Sequence, residues 1–508
     1  MTATLSITGN DLTIDQFSQV VFDVVPVALS PNARRRMERA HHLVQQVVSQ
    51  DQPVYGVNTG FGKFSNVHIG ARKLESLQLN LLRSHACGVG EPLSESETRG
   101  MMLCRANVLA KGHSGCRPEV AIQLMEMLNH KIHPVIPCQG SVGASGDLAP
   151  LAHLALVLVG EGEARVGSGR MPGRTALRTF RLHPLKLGPK EGISLLNGTQ
   201  AMLSLGILSL LSAQNLANTA DVATALSLDA LKGTPVAFDE KIHDLRPFPG
   251  QITSAANLRR LTAGSRIRES HLSCGRVQDA YSLRCAPQVH GAIRDTLAFA
   301  RKTLEIELNA ATDNPLVFPK EGEILSGGNF HGQPLAMALD FMAIAMAELG
   351  SISERRIERL INPEYGDLPP FLTRDPGFNS GFMMLQVTAA ALTSECKVLA
   401  HPASVDSIPT SGNKEDHVSM GMGAALKLRQ VLQNVRRILA IELLCGAQGI
   451  DYLVPLKPGW GAQRAHKLVR SVSASVTRDR SLSCDIEKVS ELIEKARFAE
   501  IIRKLKAE

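Results

Sequence analysis

A chain of 508 residues, 44% of them hydrophobic, is long enough to bury a large core, and by length alone it suggests roughly two to four domains. Aromatic residues make up only 4%, with one Trp and four Tyr, so burial rests on Leu, Ala, Val, Ile and Met, a palette that favours helices and excludes a disordered chain. The formal net charge of +7 is modest, and basic residues such as Arg34, Arg35 and Arg36 are interspersed with acids along predicted helices, which reads as solvated faces and not a nucleic-acid interface.

The first residues, MTATLSITGNDLTIDQ, carry no basic region followed by an apolar stretch, so no secretory signal is expected. The longest apolar passage, 201–213, is broken by Ser204, Gly206, Ser209 and Ser212, too short and polar to span a bilayer, and no membrane association is expected. Nine cysteines without a CxxC pair argue against a disulfide framework and a structural zinc site. A reducing cytoplasm and no metal are the corresponding expectations.

In chain order, a strand and turn are predicted over 5–13, then a helix opening at Ser30-Pro31, where Ser caps and Pro fills the first turn. Helices follow over 71–84, 96–110 and 118–129, and the Gly-, Arg- and Pro-rich stretch 161–187 reads as a loop or short hairpin. Beyond it come long helices rich in small residues, over 199–230, 286–311, 333–360, 379–400 and 420–447. The fold class is mainly α: a mixed, mostly helical N-terminal domain over 1–198 and a close-packed long-helix bundle over 199–508.

Between the helices lie polar, Gly-bearing loops that a core does not need, among them YGVNTGFG at 55–62, GSVGASGD at 140–147, VQDAYSLRC at 277–285 and SGGNFHG at 326–332. In the second, Gly146 has no side chain, so its nitrogen can approach the carbonyl carbon of Ala144, whose methyl leaves that carbon accessible. Attack closes a five-membered ring. Loss of one water from the ring and another from the Ser145 side chain leaves a methylidene on a conjugated imidazolone, an electrophile that no ordinary side chain provides. A bare Ala-Ser-Gly is equally a Gly-rich turn with Asp147 capping the next helix, and Asp147 stands where a GxSxG elbow requires Gly.

The full run GSVGASGDLAPLAHLAL at 140–156 resembles the signature of the ammonia-lyases that carry a methylidene-imidazolone prosthetic group. YGVNTGFG, LLNGTQ at 195–200, VQDAYSLRCAPQVHG at 277–291, TDNPL at 312–316 and SGGNFHGQPLAMALD at 326–340 follow in that family's order, and the resemblance runs from about residue 8 to about 500. Ser84-His85 matches its histidine-specific branch, although tyrosine-specific bacterial enzymes also carry this His. Glu415, within HPASVDSIPTSGNKEDHVSM at 401–420, is the sharper discriminator. An imidazole has two ring nitrogens that need polar partners, which His85 and Glu415 can meet, and a phenyl ring would leave both groups unpaired.

The resemblance implies an all-α architecture of the ammonia-lyase and fumarase kind and a carbon–nitrogen lyase that converts L-histidine to trans-urocanate. A tyrosine ammonia-lyase or an aminomutase is the alternative, and a scaffold without activity is disfavoured by the intact motifs. Its prosthetic group would be 4-methylidene-imidazole-5-one (MIO), formed autocatalytically from Ala144, Ser145 and Gly146, with no exogenous cofactor. By motif position Tyr55 is the candidate base and Tyr281 a second phenol, while Glu415 either binds the substrate or assists proton transfer. Arg284 would grip the substrate carboxylate, Asn197 and Gln278 would hydrogen-bond near the prosthetic group, and Phe330 would pack beside it. Met383, Met384 and Met420 could line a pocket wall, although Met on long helices is usually core, and they are not assigned; Cys87 departs from the small residue expected after Ala86. The family further implies a homotetramer with sites shared between subunits.

Overall fold

The computed structural model describes residues 4–507 apart from 51, 52, 61, 65, 274 and 276. Phe61 of the YGVNTGFG motif therefore lies outside the described residues. The chain forms two compact units: the first takes the chain up to Leu208 together with Arg301–Leu339 and Pro402–Leu426, and the second takes Ser209–Ala300, Asp340–His401 and Lys427–Glu508. The first unit thus includes two later segments that the contiguous division at 198/199 assigned to the C-terminal half.

Local sequence explains several helix starts. Thr13 and Gln16 form a reciprocal capping box on Ile14–Phe22, Ser94 and Glu97 do the same for Glu95–Ala110, and Ser30 caps Pro31–Ser49 with Pro31 in the first turn. Helix Glu95–Ala110 is buried from Glu97 through Ala110, so its sequence shows little amphipathic pattern. It carries two buried arginines: Arg99 donates to the carbonyls of Val20 (2.7 Å) and Leu128 (3.2 Å), and Arg105 serves the site below. Short two- and three-stranded sheets trim this unit: Leu5–Ile7 pairs in parallel with Val27–Leu29, and Ile132–Pro134, Glu163–Val166 and Gly169–Pro172 form an antiparallel sheet. The stretch expected as a loop or hairpin holds that hairpin and also a helix, Gly173–Thr179.

The long helices are Gln200–Ala230, Ala286–Leu308, Gln333–Ile361 and Gly421–Asp451, close to the predicted spans. In the second unit small residues let helices touch: a Cβ on Gly250 would lie 2.2 Å from the Gly291 carbonyl oxygen, and one on Gly291 would lie 2.4 Å from the Gln251 nitrogen. Helix Pro249–Thr262 therefore crosses Ala286–Leu308 at backbone contact, and a methyl at either glycine would push them apart. Helix Gln333–Ile361 carries a long apolar stretch. It is long and apolar enough to cross a membrane, with a window of mean hydropathy 1.6, and 67% of that window is buried inside the protein, as a core helix requires.

Candidate active site

The first unit contains a cavity of about 810 Å³ whose lining includes Tyr55, His85, Ser145, Asn197, Phe330 and Glu415. Six residues singled out in six separate sequence segments thus share one hollow.

Ser145 sits at its wall in a left-handed conformation, φ 53°, between Gly143 and Gly146, both at φ 81°. A non-glycine residue there is uncommon and is held only when its surroundings over-determine it. Those surroundings are specific. The Asp147 N–H donates to the Gly198 carbonyl at 2.7 Å, and the Gly198 N–H returns to the Ser145 carbonyl at 3.3 Å, locking the turn to the LLNGTQ segment. A Cβ on Gly146 would stand 2.1 Å from the Gly198 oxygen, so only glycine fits. The Asp147 carboxylate caps a helix, though not the one that follows it. Helix Leu148–Leu158 receives no side-chain cap, and Asp147 Oδ2 instead accepts from the backbone N–H groups of Ala201 and Met202, both at 2.9 Å, at the start of Gln200–Ala230. Burial pushes the Asp147 carboxyl up to about 7, against these hydrogen bonds.

The LLNGTQ segment is fixed from behind by Arg105, which donates to the carbonyls of Ser194 (3.0 Å) and Asn197 (2.9 Å) and to Gln200 Oε1. The Asn197 side chain donates to the Asn314 carbonyl at 2.9 Å, while its Oδ1 is buried with no protein donor. An orphaned acceptor at a cavity wall marks a place for a ligand donor.

Glu415 faces Ser145: the Ser145 hydroxyl donates to Oε1 at 3.2 Å, and the hydroxyls of Thr410 (3.0 Å) and Ser411 donate to Oε2. His85 closes helix Leu74–His85, its Nδ1 2.9 Å from the Leu81 carbonyl. That carbonyl can only accept, so the proton is on Nδ1 and Nε2 is an acceptor. Burial lowers the His85 pKa, favouring this neutral form. Burial also raises the Tyr55 pKa, and the charge of Glu415 acts in the same direction, against a hydrogen bond from the Gly62 backbone. The resting Tyr55 is therefore a phenol, and the positive charge that would favour a phenolate is not among the causes acting on it.

Gln278, Tyr281 and Arg284 do not line this cavity. They belong to the second unit, where Gln278 and Arg284 line a hollow of about 360 Å³, and Tyr281 is 72% exposed with the Arg284 guanidinium 4.5 Å from its ring centre. Conversely, Phe64, Asn66, Asn314 and Lys414 line the first cavity and were not singled out. Asn314 stands in the TDNPL motif and Lys414 precedes Glu415, so both carried a signal by proximity; Phe64 and Asn66 carried none.

The turn fits the methylidene-imidazolone group: it combines a small residue at 144, a left-handed bend at 145 and an obligatory glycine at 146. The Gly146 N–H makes only a long 3.3 Å bond, to the Gly143 carbonyl. Among known proteins, the profile of the family described as aromatic amino acid lyase matches residues 12–471. A histidine ammonia-lyase of Koribacter versatilis is 56% identical, over 98% of this chain and 99% of its own. The crystal structure of histidine ammonia-lyase from Trypanosoma cruzi superposes with a TM-score of 0.91 at 43% identity, covering 99% of this chain and 96% of that one. That of tyrosine aminomutase from Streptomyces globisporus superposes with a TM-score of 0.93 at 38% identity, covering 99% of each. A family profile spanning most of the chain and relatives alike over nearly all of it agree with the site, and this chain belongs to the aromatic amino acid lyase family.

Proposed function

We propose that the chain is a histidine ammonia-lyase, eliminating ammonia from L-histidine to give trans-urocanate, the first step of histidine degradation. The observation that carries this reading is the convergence of Ser145, His85 and Glu415 on one cavity. His85 offers an acceptor nitrogen and Glu415 a carboxylate, two acceptors that the two N–H donors of a protonated imidazole ring satisfy and a phenyl ring leaves desolvated at about 1 to 3 kcal/mol per group.

The reaction is hard because the β-hydrogen is weakly acidic and ammonium leaves poorly. The MIO group, made from Ala144, Ser145 and Gly146 with loss of two waters, supplies an electron-poor carbon that eases departure of the amine. The side chains do the rest. Asn197, whose Oδ1 has no protein donor, would accept a hydrogen bond at the prosthetic group, and Phe330 would pack beside it. Tyr55 and Glu415 handle the proton: the carboxylate is the acceptor in the resting site, and the phenol, held protonated by burial, is the donor to it or to the substrate. Arg284 clamps the substrate carboxylate, with Gln278 and Tyr281 beside it. These three are supplied by neighbouring copies in a homotetramer whose sites are shared, an arrangement supported by the exposure of Tyr281 (72%) and Val277 (97%). Gel filtration with activity read across the peak tests it: turnover should follow the tetramer, and full activity in a monomer fraction rejects the shared site. Eight described cysteines are all unpaired, which supports a cytoplasmic location.

The deciding assay offers L-histidine and L-tyrosine side by side. Release of urocanate with little 4-hydroxycinnamate is the expected outcome. The reverse would assign the chain to the tyrosine branch.

A further inference from the structure

Glu415 is held by its own loop. Thr410 and Glu415 face each other as an antiparallel bridge, with the Thr410 N–H donating to the Glu415 carbonyl at 3.0 Å. Between them Ser411, Gly412 and Asn413 take φ values of 53°, 64° and 62°, three successive left-handed residues of which only one is glycine. Such a run persists only where something fixes it. What fixes it here is the carboxylate: this turn brings two hydroxyls onto one oxygen, Thr410 Oγ1 at 3.0 Å and Ser411 Oγ, both donating to Glu415 Oε2. The turn Gly62–Phe64, which follows Tyr55 in its loop, packs against the same three residues.

A terminal carboxylate otherwise rotates freely about its last bond, because that torsion is broad and two-fold. Engaging Oε2 twice removes this freedom and turns Oε1 to Ser145, whose hydroxyl lies 3.2 Å away. The Thr410 and Ser411 hydroxyls bond nothing else among the described contacts, so holding this carboxylate is what they do. The local strain at Ser411 is offset by the same bond that orients the carboxylate.

We infer that Thr410 and Ser411 are positioning residues for the elimination, acting through Glu415 by fixing which of its oxygens faces residue 145 and the substrate. This rests on reading the cavity as the lyase site. It concerns orientation only, so it is separable from which amino acid is bound.

The test is a cycle of Thr410→Val and Thr410→Ser in the unaltered and Glu415→Gln backgrounds. It is run on whichever of L-histidine or L-tyrosine the unaltered enzyme deaminates, so that an error about the substrate shows before the cycle begins. Thr410→Val is expected to lower kcat about tenfold with KM within about twofold, and Thr410→Ser, which keeps the hydroxyl, to restore kcat to within about twofold. In the Glu415→Gln background the Val change should cost less than about twofold, because the group it orients is altered. Ser411→Gly removes the other hydroxyl while relaxing the left-handed residue, so a lowered kcat with a thermal midpoint at or above that of the unaltered enzyme is expected. Equal losses from Thr410→Val in both backgrounds, a Ser variant as poor as the Val one, or an unchanged kcat in Ser411→Gly would each overturn the assignment. An unaltered enzyme silent on both amino acids would overturn the lyase reading on which it rests.

Discussion

Two glutamates, one in each unit, receive their hydrogen bonds in opposite ways. In the second unit Glu442 is fully buried and takes four: Arg356 gives two, one to each oxygen, at 2.6 and 2.9 Å, and Ser227 and Ser353 give one each. In the first, Glu415 is held by three hydroxyls at the wall of a cavity, one of them belonging to Ser145. A carboxylate locked to a fixed guanidinium is spent on structure, whereas one oriented by hydroxyls beside open space can present an oxygen to a ligand. The same contrast recurs within helix Gln200–Ala230. Burial alone would raise the Asp221 carboxyl, yet Arg294, His290 and Asn257 hold it well below the usual carboxylate range. Two turns on, Asp229 has, among the described residues, the Ser265 hydroxyl and the Gly459 N–H, and burial pushes it up to about 6.

If the division between chemistry and structure is right, damage to each unit should read out differently. Ser145→Ala should lower turnover by about a thousandfold or more while the thermal midpoint and oligomeric state stay unchanged, since it removes a reacting group and no packing. A variant that keeps activity would break the comparison at its catalytic end. Glu442→Ala should do the opposite, costing about 3 to 5 kcal/mol of stability by stranding Arg356 in the interior, with turnover per folded molecule preserved. Chemical denaturation and activity measured on the same sample check this, and a loss of turnover without a loss of stability would contradict it.

Asp229→Asn sharpens the contrast through pH. The unfolded carboxyl releases its proton near its ordinary value of 3.8, while the folded one holds it to about 6. Across that window the folded state binds the extra proton, so stability falls as pH rises, and above it the penalty is fully present. The variant should therefore gain on the unaltered chain by up to about 3 kcal/mol between about pH 4 and pH 7, read from denaturation midpoints along the pH series. Parallel curves would show that Asp229 is not held protonated.

Much of this was legible in the sequence wherever a local rule applied. Ser30-Pro31 announced a helix start, long stretches rich in small residues announced long helices, and the glycines of GSVGASGD announced the turn at Ser145. What escaped depends on partners distant in sequence. Asp147 looked like a cap for the helix after it and instead caps one that begins over fifty residues later, because the Gly198 bridge carries that helix start to it. Helix Glu95–Ala110 hides its pattern by being buried all round, and the left-handed run at 411–413 has only one glycine to betray it. Motif order likewise carried no distances. Tyr55, His85, Asn197, Phe330 and Glu415 meet Ser145, whereas Gln278, Tyr281 and Arg284, equally marked by motif, belong to the other unit.

The most direct measurement is the mass of the native protein, intact and as the proteolytic peptide that spans 144–146. A peptide lighter than its sequence by two waters is expected, whereas the Ser145→Ala peptide, lacking the hydroxyl, can lose at most one. A peptide of unmodified mass from a preparation that nonetheless releases urocanate at full rate would contradict that expectation.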